Sequence, residues 1–166
     1  YILYSSGTTG APKCIVHGAG NALIEQKKEL SIHCDVKDGD RVFYFTTTGW
    51  MMWNWQVAAL SCGASIYLYD GSPFYPTLDI LIKYCSEQKF TLFGVGAKYI
   101  DHLKNENYEA SDFDLSNLKI ITSTGSPLVA ESFEYVYKYS KEDVHLSSIS
   151  GGTDVVGCLV IGNIFQ

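Results

Sequence analysis

Ten residues near the start of the chain read Tyr4-Ser5-Ser6-Gly7-Thr8-Thr9-Gly10-Ala11-Pro12-Lys13, and we call this stretch motif 1. In a loop of this composition, the glycines let backbone N–H groups approach phosphate oxygens, the hydroxyl groups donate hydrogen bonds and the lysine supplies a counter-charge. Motif 1 is not a Walker loop, because Pro12 stands where the second glycine belongs and Cys14 where the Mg²⁺-binding hydroxyl belongs. The stretch predicts a polyphosphate-binding loop, and a plain Ser/Thr/Gly turn is the alternative.

Two later stretches place glycine and hydroxyl residues directly after predicted strands. Motif 2 reads Lys119-Ile120-Ile121-Thr122-Ser123-Thr124-Gly125-Ser126-Pro127-Leu128, and motif 3 reads Ser150-Gly151-Gly152-Thr153-Asp154. Each of them alone is compatible with an ordinary turn. Because an α/β sheet binds its ligands at the carboxyl ends of its strands, we expect the three motifs to meet at one edge of a sheet.

Short apolar runs alternate with amphipathic segments, which predicts an α/β fold with a largely parallel sheet flanked by helices. The predicted strands cover residues 1–4, 14–17, 41–45, 65–69, 91–95, 119–122, 144–147 and 155–161. The predicted helices cover residues 21–32, 51–61, 77–88, 97–105 and 129–139. Several strands, including the first, lack polar alternation, so we expect them to be covered on both faces.

The composition narrows the possible functions. A net charge of −6 argues against a nucleic-acid or anionic-membrane surface, which needs basic stripes. The chain has 166 residues, 46% of them hydrophobic, and can bury a substantial core as one domain. Its five cysteines are scattered without a C-x-x-C pair, so a reducing, cytoplasmic compartment fits best. The most apolar stretch, residues 50–60, is too short to span a bilayer.

In this order, the three motifs resemble those of the adenylate-forming (AMP-binding) superfamily, which includes acyl-CoA synthetases, luciferases and peptide-synthetase adenylation domains. A fourth stretch, Thr46-Thr47-Thr48-Gly49-Trp50-Met51-Met52-Trp53-Asn54-Trp55, is similar to the acyl-pocket region of the acetoacetyl-CoA synthetase branch. A further similarity to that same branch is the sequence Asp70-Gly71-Ser72-Pro73. The resemblance covers nearly the whole chain.

The resemblance implies a role for each motif. ATP phosphates would be held by motif 1 through Ser5, Ser6, Gly7, Thr8, Thr9, Gly10 and Lys13. The adenine pocket would be lined by Gly125, Ser126 and Pro127, and the α-phosphate would be contacted by Gly152 and Thr153. Asp154 stands where the family usually has the Glu that binds Mg²⁺, and a shorter carboxylate can still bind this hard cation. The catalytic candidates are therefore Lys13, Thr153 and Asp154. Ser150 replaces the usual aromatic residue, which puts adenine stacking from that side in doubt.

The same resemblance implies a pocket for the carboxylic acid. Its candidate residues are Trp50, Met51, Met52, Thr124 and Gly151. In relatives that activate acetate, a tryptophan stands at the position of Gly151, so glycine is expected to free the volume of an indole for a four-carbon keto acid. The keto oxygen would need a donor, for which Thr124 and Ser123 are the candidates. Aromatic and Met-rich helix starts are often plain core, and core is the favoured interpretation for Trp53 and Trp55.

Taken together, the resemblance implies that residues 1–166 are an internal segment of the large N-terminal adenylation domain of an acid–thiol ligase, without the C-terminal domain. Such an enzyme uses ATP and Mg²⁺ to convert acetoacetate into an acyl-adenylate, and then transfers the acyl group to coenzyme A. The isolated segment is expected to be inactive. The alternatives are another short-chain acyl-CoA synthetase, or a nucleotide-binding module without turnover, which only the departures at Ser150 and Asp154 support.

Overall fold

The computed structural model describes residues 1–5 and 10–165. In chain order its strands and helices are β1 (Ile2–Ser5), β2 (Lys13–Val16), α1 (Ala19–Lys28), β3 (Arg41–Tyr44), α2 (Met51–Ala58), β4 (Ser65–Tyr67), α3 (Ile80–Gln88), β5 (Leu92–Gly96), α4 (Ala97–Asn105), β6 (Ile120–Thr124), α5 (Ala130–Tyr139), β7 (His145–Ser148), β8 (Ser150–Gly152) and β9 (Gly157–Val160). A π-helical turn, Glu29–His33, extends α1, and a 3₁₀ segment, Ala59–Cys62, extends α2. No helix in the described ranges is both long and apolar enough to cross a membrane.

Strands β3 to β7 form a parallel sheet in the order β4-β3-β5-β6-β7. Successive residues of a strand point to opposite faces of the sheet. Phe43 and Phe93 accordingly join the core on the α3, α4 and α5 side, while Val42 and Leu92 join the core on the α2 side. All four are almost fully buried, as expected for strands without polar alternation. The predicted α/β fold with a largely parallel sheet is confirmed.

The helices follow their predicted positions with shifts at the ends. Helix α3 begins at Ile80 rather than at residue 77, and its residues Leu81, Ile82 and Cys85 are buried. The helix predicted over 51–61 becomes 3₁₀ after Ala58, and the chain turns at Gly63 with a φ of +81°. Glycine adopts this left-handed conformation without steric cost, which explains why the helix stops there.

The first strand corrects two expectations. β1 does not enter the parallel sheet but pairs with β2 as an antiparallel two-stranded unit. It is not buried on both faces either, since Ile2 is 53% exposed and Tyr4 66% exposed. The reason for the pairing is the short connection over residues 6–12, because parallel strands need a crossover of about a dozen residues or more.

Motif 3 is more regular than a turn. Residues Ser150–Gly152 form strand β8, which pairs antiparallel with β9, with a register irregularity between Ser150 and Gly151. The strand predicted over 155–161 is confirmed in its centre as β9, Gly157–Val160. Motif 3 therefore lies in a β-hairpin that follows β7 directly.

Candidate active site

A cavity of about 1110 Å³ lies at the carboxyl edge of the parallel sheet. Its wall includes residues at or just after the ends of four parallel strands: Tyr44 and Phe45 after β3, Gly96 and Ala97 after β5, Thr124 and Gly125 after β6, and Ser148 and Ile149 after β7. This is the edge at which α/β sheets bind ligands. The cavity is therefore the candidate active site.

Motif 2 forms one part of this wall. Thr124, Gly125, Ser126 and Pro127 all line the cavity. The chain leaves β6 at Gly125 with a φ of +86°, a conformation that favours glycine. Ser123, by contrast, is fully buried, and its hydroxyl has no hydrogen-bond partner in the described part of the chain. Of the two candidate donors for a keto oxygen, only Thr124 lies on the wall.

Motif 3 forms the neighbouring part of the wall through Ser150, Gly151, Gly152 and Thr153. The expectation that Gly151 frees the volume of an indole is not met. A Cβ atom at this position would overlap the Gly157 carbonyl oxygen and lie 2.8 Å from the Cα of Cys158. The missing side chain thus leaves room for the backbone of β9, not for a larger acid.

The remaining acyl-pocket candidates line the same cavity. Trp50, Met51 and Met52 line it at the start of α2, where Trp50 is in extended conformation and 64% exposed. Trp55, one turn further on, is fully buried, which confirms its assignment to the core. Trp53 is half-buried.

The described residues of motif 1 do not line the cavity. Ser6, Gly7, Thr8 and Thr9 are outside the described residues. Ser5, Gly10 and Lys13 are described, and none of them lines the cavity. The β1–β2 unit is nevertheless tied to motif 3, because His17 Nε2 donates a hydrogen bond to the Thr153 carbonyl oxygen at 2.7 Å. Sequence reasoning missed this contact, since a single His after a strand carries no signal.

A second missed residue is Glu29, on the π-helical turn. Its side chain is fully buried and accepts hydrogen bonds from the Cys158 backbone N–H at 2.6 Å and from Trp55 Nε1 at 2.9 Å. Burial raises the pKa of Glu29, and these hydrogen bonds oppose the shift. A Cβ atom at Gly157 would lie only 2.7 Å from Glu29 Oε1, so glycine is needed there. Glu29 joins α2, which carries Met51 and Met52, to the hairpin that carries motif 3.

The metal prediction concerns Asp154. This carboxylate is exposed and does not line the cavity, and no group of three His, Cys, Asp or Glu residues in the described ranges could hold a metal ion. A single exposed carboxylate is compatible with Mg²⁺, which commonly binds one or two carboxylates together with substrate phosphates and water. The assignment of Mg²⁺ to Asp154 therefore stays a prediction.

Comparison with known proteins identifies the family. The sequence model of the AMP-binding enzyme family matches residues 1–163. The chain belongs to the AMP-binding enzyme family. It is 55% identical over 164 residues to the acetoacetyl-coenzyme A synthetase of Rhizobium meliloti (strain 1021), covering 98% of this chain and 25% of that protein. It is 44% identical over 171 residues to the malonamoyl-CoA synthetase of Penicillium aethiopicum, covering 94% of this chain and 24% of that protein.

The solved structures agree with this assignment. The acetoacetyl-CoA synthetase from Streptomyces lividans superimposes with a TM-score of 0.92 at 42% sequence identity, over 98% of this chain and 26% of that chain. This chain thus spans about a quarter of the length of the curated relatives named above.

Proposed function

We propose that this chain is part of an ATP-dependent acid–thiol ligase that activates acetoacetate as acetoacetyl-AMP. The acyl group then passes to coenzyme A, giving acetoacetyl-CoA and AMP, with pyrophosphate released in the first step. The observation that carries the proposal is the common cavity: residues of motif 2, residues of motif 3 and the segment Trp50–Met52 line one space at the carboxyl edge of the sheet. The identity to acetoacetyl-CoA synthetases supports the choice of acid.

In this reaction the protein acts mainly by positioning groups and stabilising charge. The backbone of Gly125, Ser126 and Pro127 would hold the adenine ring. Gly152 and the Thr153 hydroxyl would hold the α-phosphate, where the carboxylate of the acid attacks. Trp50, Met51 and Met52 would exclude water from the acyl chain.

The departing pyrophosphate would be held by motif 1, through Ser5, Ser6, Gly7, Thr8, Thr9 and Gly10, with Lys13 as the cation. Asp154 would bind Mg²⁺, which neutralises phosphate charge when bound. Lys13 and Asp154 lie off the cavity wall, as expected for groups that reach the outer phosphates rather than the adenine or the acid.

The rest of the site would come from elsewhere in the protein. We place residues 1–166 as an internal segment of a large adenylation domain, whose ribose-binding Asp, following Arg and C-terminal-domain Lys lie outside this range. The five free cysteines and the net charge of −6 support a cytoplasmic enzyme of small molecules, without nucleic-acid or membrane partners. We expect the isolated segment to be inactive.

A second candidate function is activation of a different short acid. The similarity to a malonamoyl-CoA synthetase supports it, because malonamate differs from acetoacetate only in carrying an amide NH₂ in place of the terminal methyl group. Both acids have a carbonyl group at carbon 3. A nucleotide-binding module without turnover is the remaining alternative, supported by Ser150 and Asp154.

The test uses the purified full-length protein that contains this segment. Acid-dependent exchange of pyrophosphate into ATP is measured with acetoacetate, malonamate, butyrate and acetate, followed by coenzyme A-dependent AMP release with the best acid. We expect acetoacetate to give the highest kcat/KM. A higher value for another acid would support the second candidate instead, and ATP binding without exchange for any acid would identify a non-catalytic module.

A further inference from the structure

Two hydroxyl groups meet across the central strand of the sheet, beside the acyl-pocket candidates. Tyr44 ends β3 and Thr124 ends β6, and β5 lies between these two strands. The Tyr44 hydroxyl nevertheless lies 2.8 Å from the Thr124 hydroxyl. Both residues line the cavity, together with Met51 and Met52.

This contact depends on a glycine in the strand that it crosses. Gly94 of β5 is paired with Tyr44, and a Cβ atom at Gly94 would overlap the Cδ2 and Cε2 atoms of the tyrosine ring. Glycine in a strand interior is destabilising relative to alanine, so a local packing requirement is the natural explanation for Gly94. Here the missing side chain lets the Tyr44 ring lie flat over β5 and reach β6.

The tyrosine ring is also held from its other side. Trp55 packs edge-on against Tyr44, with ring centroids 6.0 Å apart and an interplanar angle of 74°. The Trp55 indole is itself fixed by its hydrogen bond to Glu29. With only 4% of Tyr44 exposed, its hydroxyl has a defined position at the cavity wall.

The Tyr44–Thr124 pair has one hydrogen-bond donor that its mutual hydrogen bond does not use. Two hydroxyl groups have two donor hydrogens, and one of these makes the Tyr44–Thr124 hydrogen bond. Burial raises the pKa of Tyr44, so the phenol stays protonated and neutral at physiological pH. A neutral donor in a largely apolar wall suits a neutral carbonyl oxygen better than a carboxylate.

We propose that Tyr44 and Thr124 together bind the 3-oxo group of the acyl substrate and thereby select 3-oxo acids over saturated acids of the same length. The assignment rests on the proposed function, because it takes this cavity as the acyl site. Tyr44 is then a specificity-determining residue that lies outside all three motifs. A substrate without the oxo group would leave this hydroxyl pair with an unused donor, which lowers the activation of that substrate.

The experiment compares acetoacetate with butyrate, which has the same four-carbon length and no oxo group. In the full-length protein, kcat/KM for acid-dependent pyrophosphate exchange is measured for the wild type, Tyr44→Phe and Thr124→Val. Tyr44→Phe keeps the ring over Gly94 and removes only the hydroxyl. We expect it to lower the acetoacetate-to-butyrate ratio roughly ten- to a hundredfold, the range for one buried hydrogen bond, with butyrate activation nearly unchanged.

The matched control is Tyr67→Phe. Tyr67 is half-buried on β4 against Phe90, away from the cavity wall, and its substitution should leave the ratio unchanged. If Tyr44→Phe does not fold, Thr124→Val is expected to lower the same ratio.

Three outcomes would overturn the assignment while leaving the proposed function in place. The first is a wild type that activates butyrate as well as acetoacetate. The second is a folded Tyr44→Phe variant with an unchanged acetoacetate-to-butyrate ratio of kcat/KM. The third is an equal loss of kcat/KM for both acids in this variant, which would show that the pair only holds β3 to β6. A wild type that activates no acid would instead contradict the proposed function itself.

Discussion

Two regions of the molecule differ in burial. One is the β1–β2 unit, which flanks motif 1, and the other is the pair of strands β6 and β7, which lead into motifs 2 and 3. Tyr4 and Val16 of the β1–β2 unit are 66% and 75% exposed. Ile121 of β6 and Leu146 of β7 are each 6% exposed and belong to the larger core. The described strands on either side of motif 1 thus form an exposed unit, whereas motifs 2 and 3 follow strands of the buried part of the sheet.

This difference in burial matches two different requirements of the proposed reaction. The adenine and the acid need a wall of fixed shape, and strands buried on both faces provide it because their side chains cannot rearrange cheaply. The outer phosphates are charged and hydrated, so a glycine- and hydroxyl-rich loop on a surface unit can bind them. His17 joins the two regions through its hydrogen bond to the Thr153 carbonyl oxygen.

The largest expected effect comes from motif 1. In the full-length protein, Lys13→Ala should lower acid-dependent pyrophosphate exchange roughly ten- to a thousandfold, the range commonly seen for one electrostatic stabiliser. The fold should be unchanged, because Lys13 is exposed at the start of β2. The measurement is exchange kinetics together with thermal unfolding.

Lys83→Ala is the control for this prediction, since Lys83 is also exposed and lies on α3 outside the cavity wall. Exchange by Lys13→Ala at the wild-type rate would remove the phosphate assignment of motif 1. It would also remove the contrast between a phosphate-binding surface unit and a buried wall.

An intermediate effect is expected for Gly151→Ala in motif 3. The new methyl group would overlap the Gly157 carbonyl oxygen, and a backbone atom can move only if the β8–β9 hairpin opens. We expect a loss of about 2–3 kcal/mol in the free energy of unfolding, and a similar proportional loss of exchange for every acid tested. Chemical denaturation and exchange kinetics check the two parts.

Gly152→Ala is the matched control for the unfolding measurement only, because a Cβ atom there would meet nothing within 4 Å, whereas its proposed place at the α-phosphate excludes it as a control for exchange. A selective loss of acetoacetate activation in Gly151→Ala would contradict the backbone explanation. It would restore the idea that position 151 sets the size of the acyl pocket.

The smallest expected effect concerns Glu29, which holds the motif 3 hairpin against α2. Glu29 Oε1 accepts from the Cys158 N–H, and Oε2 accepts from Trp55 Nε1 and the Cys158 thiol. In Glu29→Gln, the donors on one of these two sides would face an amide NH₂ group instead of an oxygen. We expect a loss of roughly 1–2 kcal/mol in the free energy of unfolding. Glu87→Gln, on the exposed face of α3, should change the stability by less than about 0.5 kcal/mol.

The pH dependence of this variant gives a second measurement. Because the pKa of Glu29 is raised above its ordinary value of 4.5, the stability it contributes is fully present below that value and is lost as the pH rises through the raised pKa. The wild type should therefore lose stability over this window while Glu29→Gln does not. Parallel pH profiles from urea denaturation would show that Glu29 does not titrate in the fold.

Much of the architecture could be predicted from local patterns. The run over residues 42–45 at β3 is apolar and has no polar alternation, so its identity as a covered strand can be predicted from composition alone. The end of the helix predicted over residues 51–61 is also indicated by the sequence. Gly63 follows it closely, and glycine tolerates the left-handed conformation that ends a helix. The helix predicted from residue 77 begins three residues later, at Ile80, although Leu78 continues the apolar spacing of α3.

The fold class follows from short-range periodicity, and the family follows from the resemblance of the three motifs in their order along the chain. Three features depend instead on long-range contacts: β1 stays outside the parallel sheet, Gly151 makes room for the backbone of β9, and Tyr44 reaches Thr124 across Gly94. Each of these depends on which segments become neighbours in space. Contacts between residues as far apart as 29 and 158, or 44 and 124, leave no periodic trace in the chain.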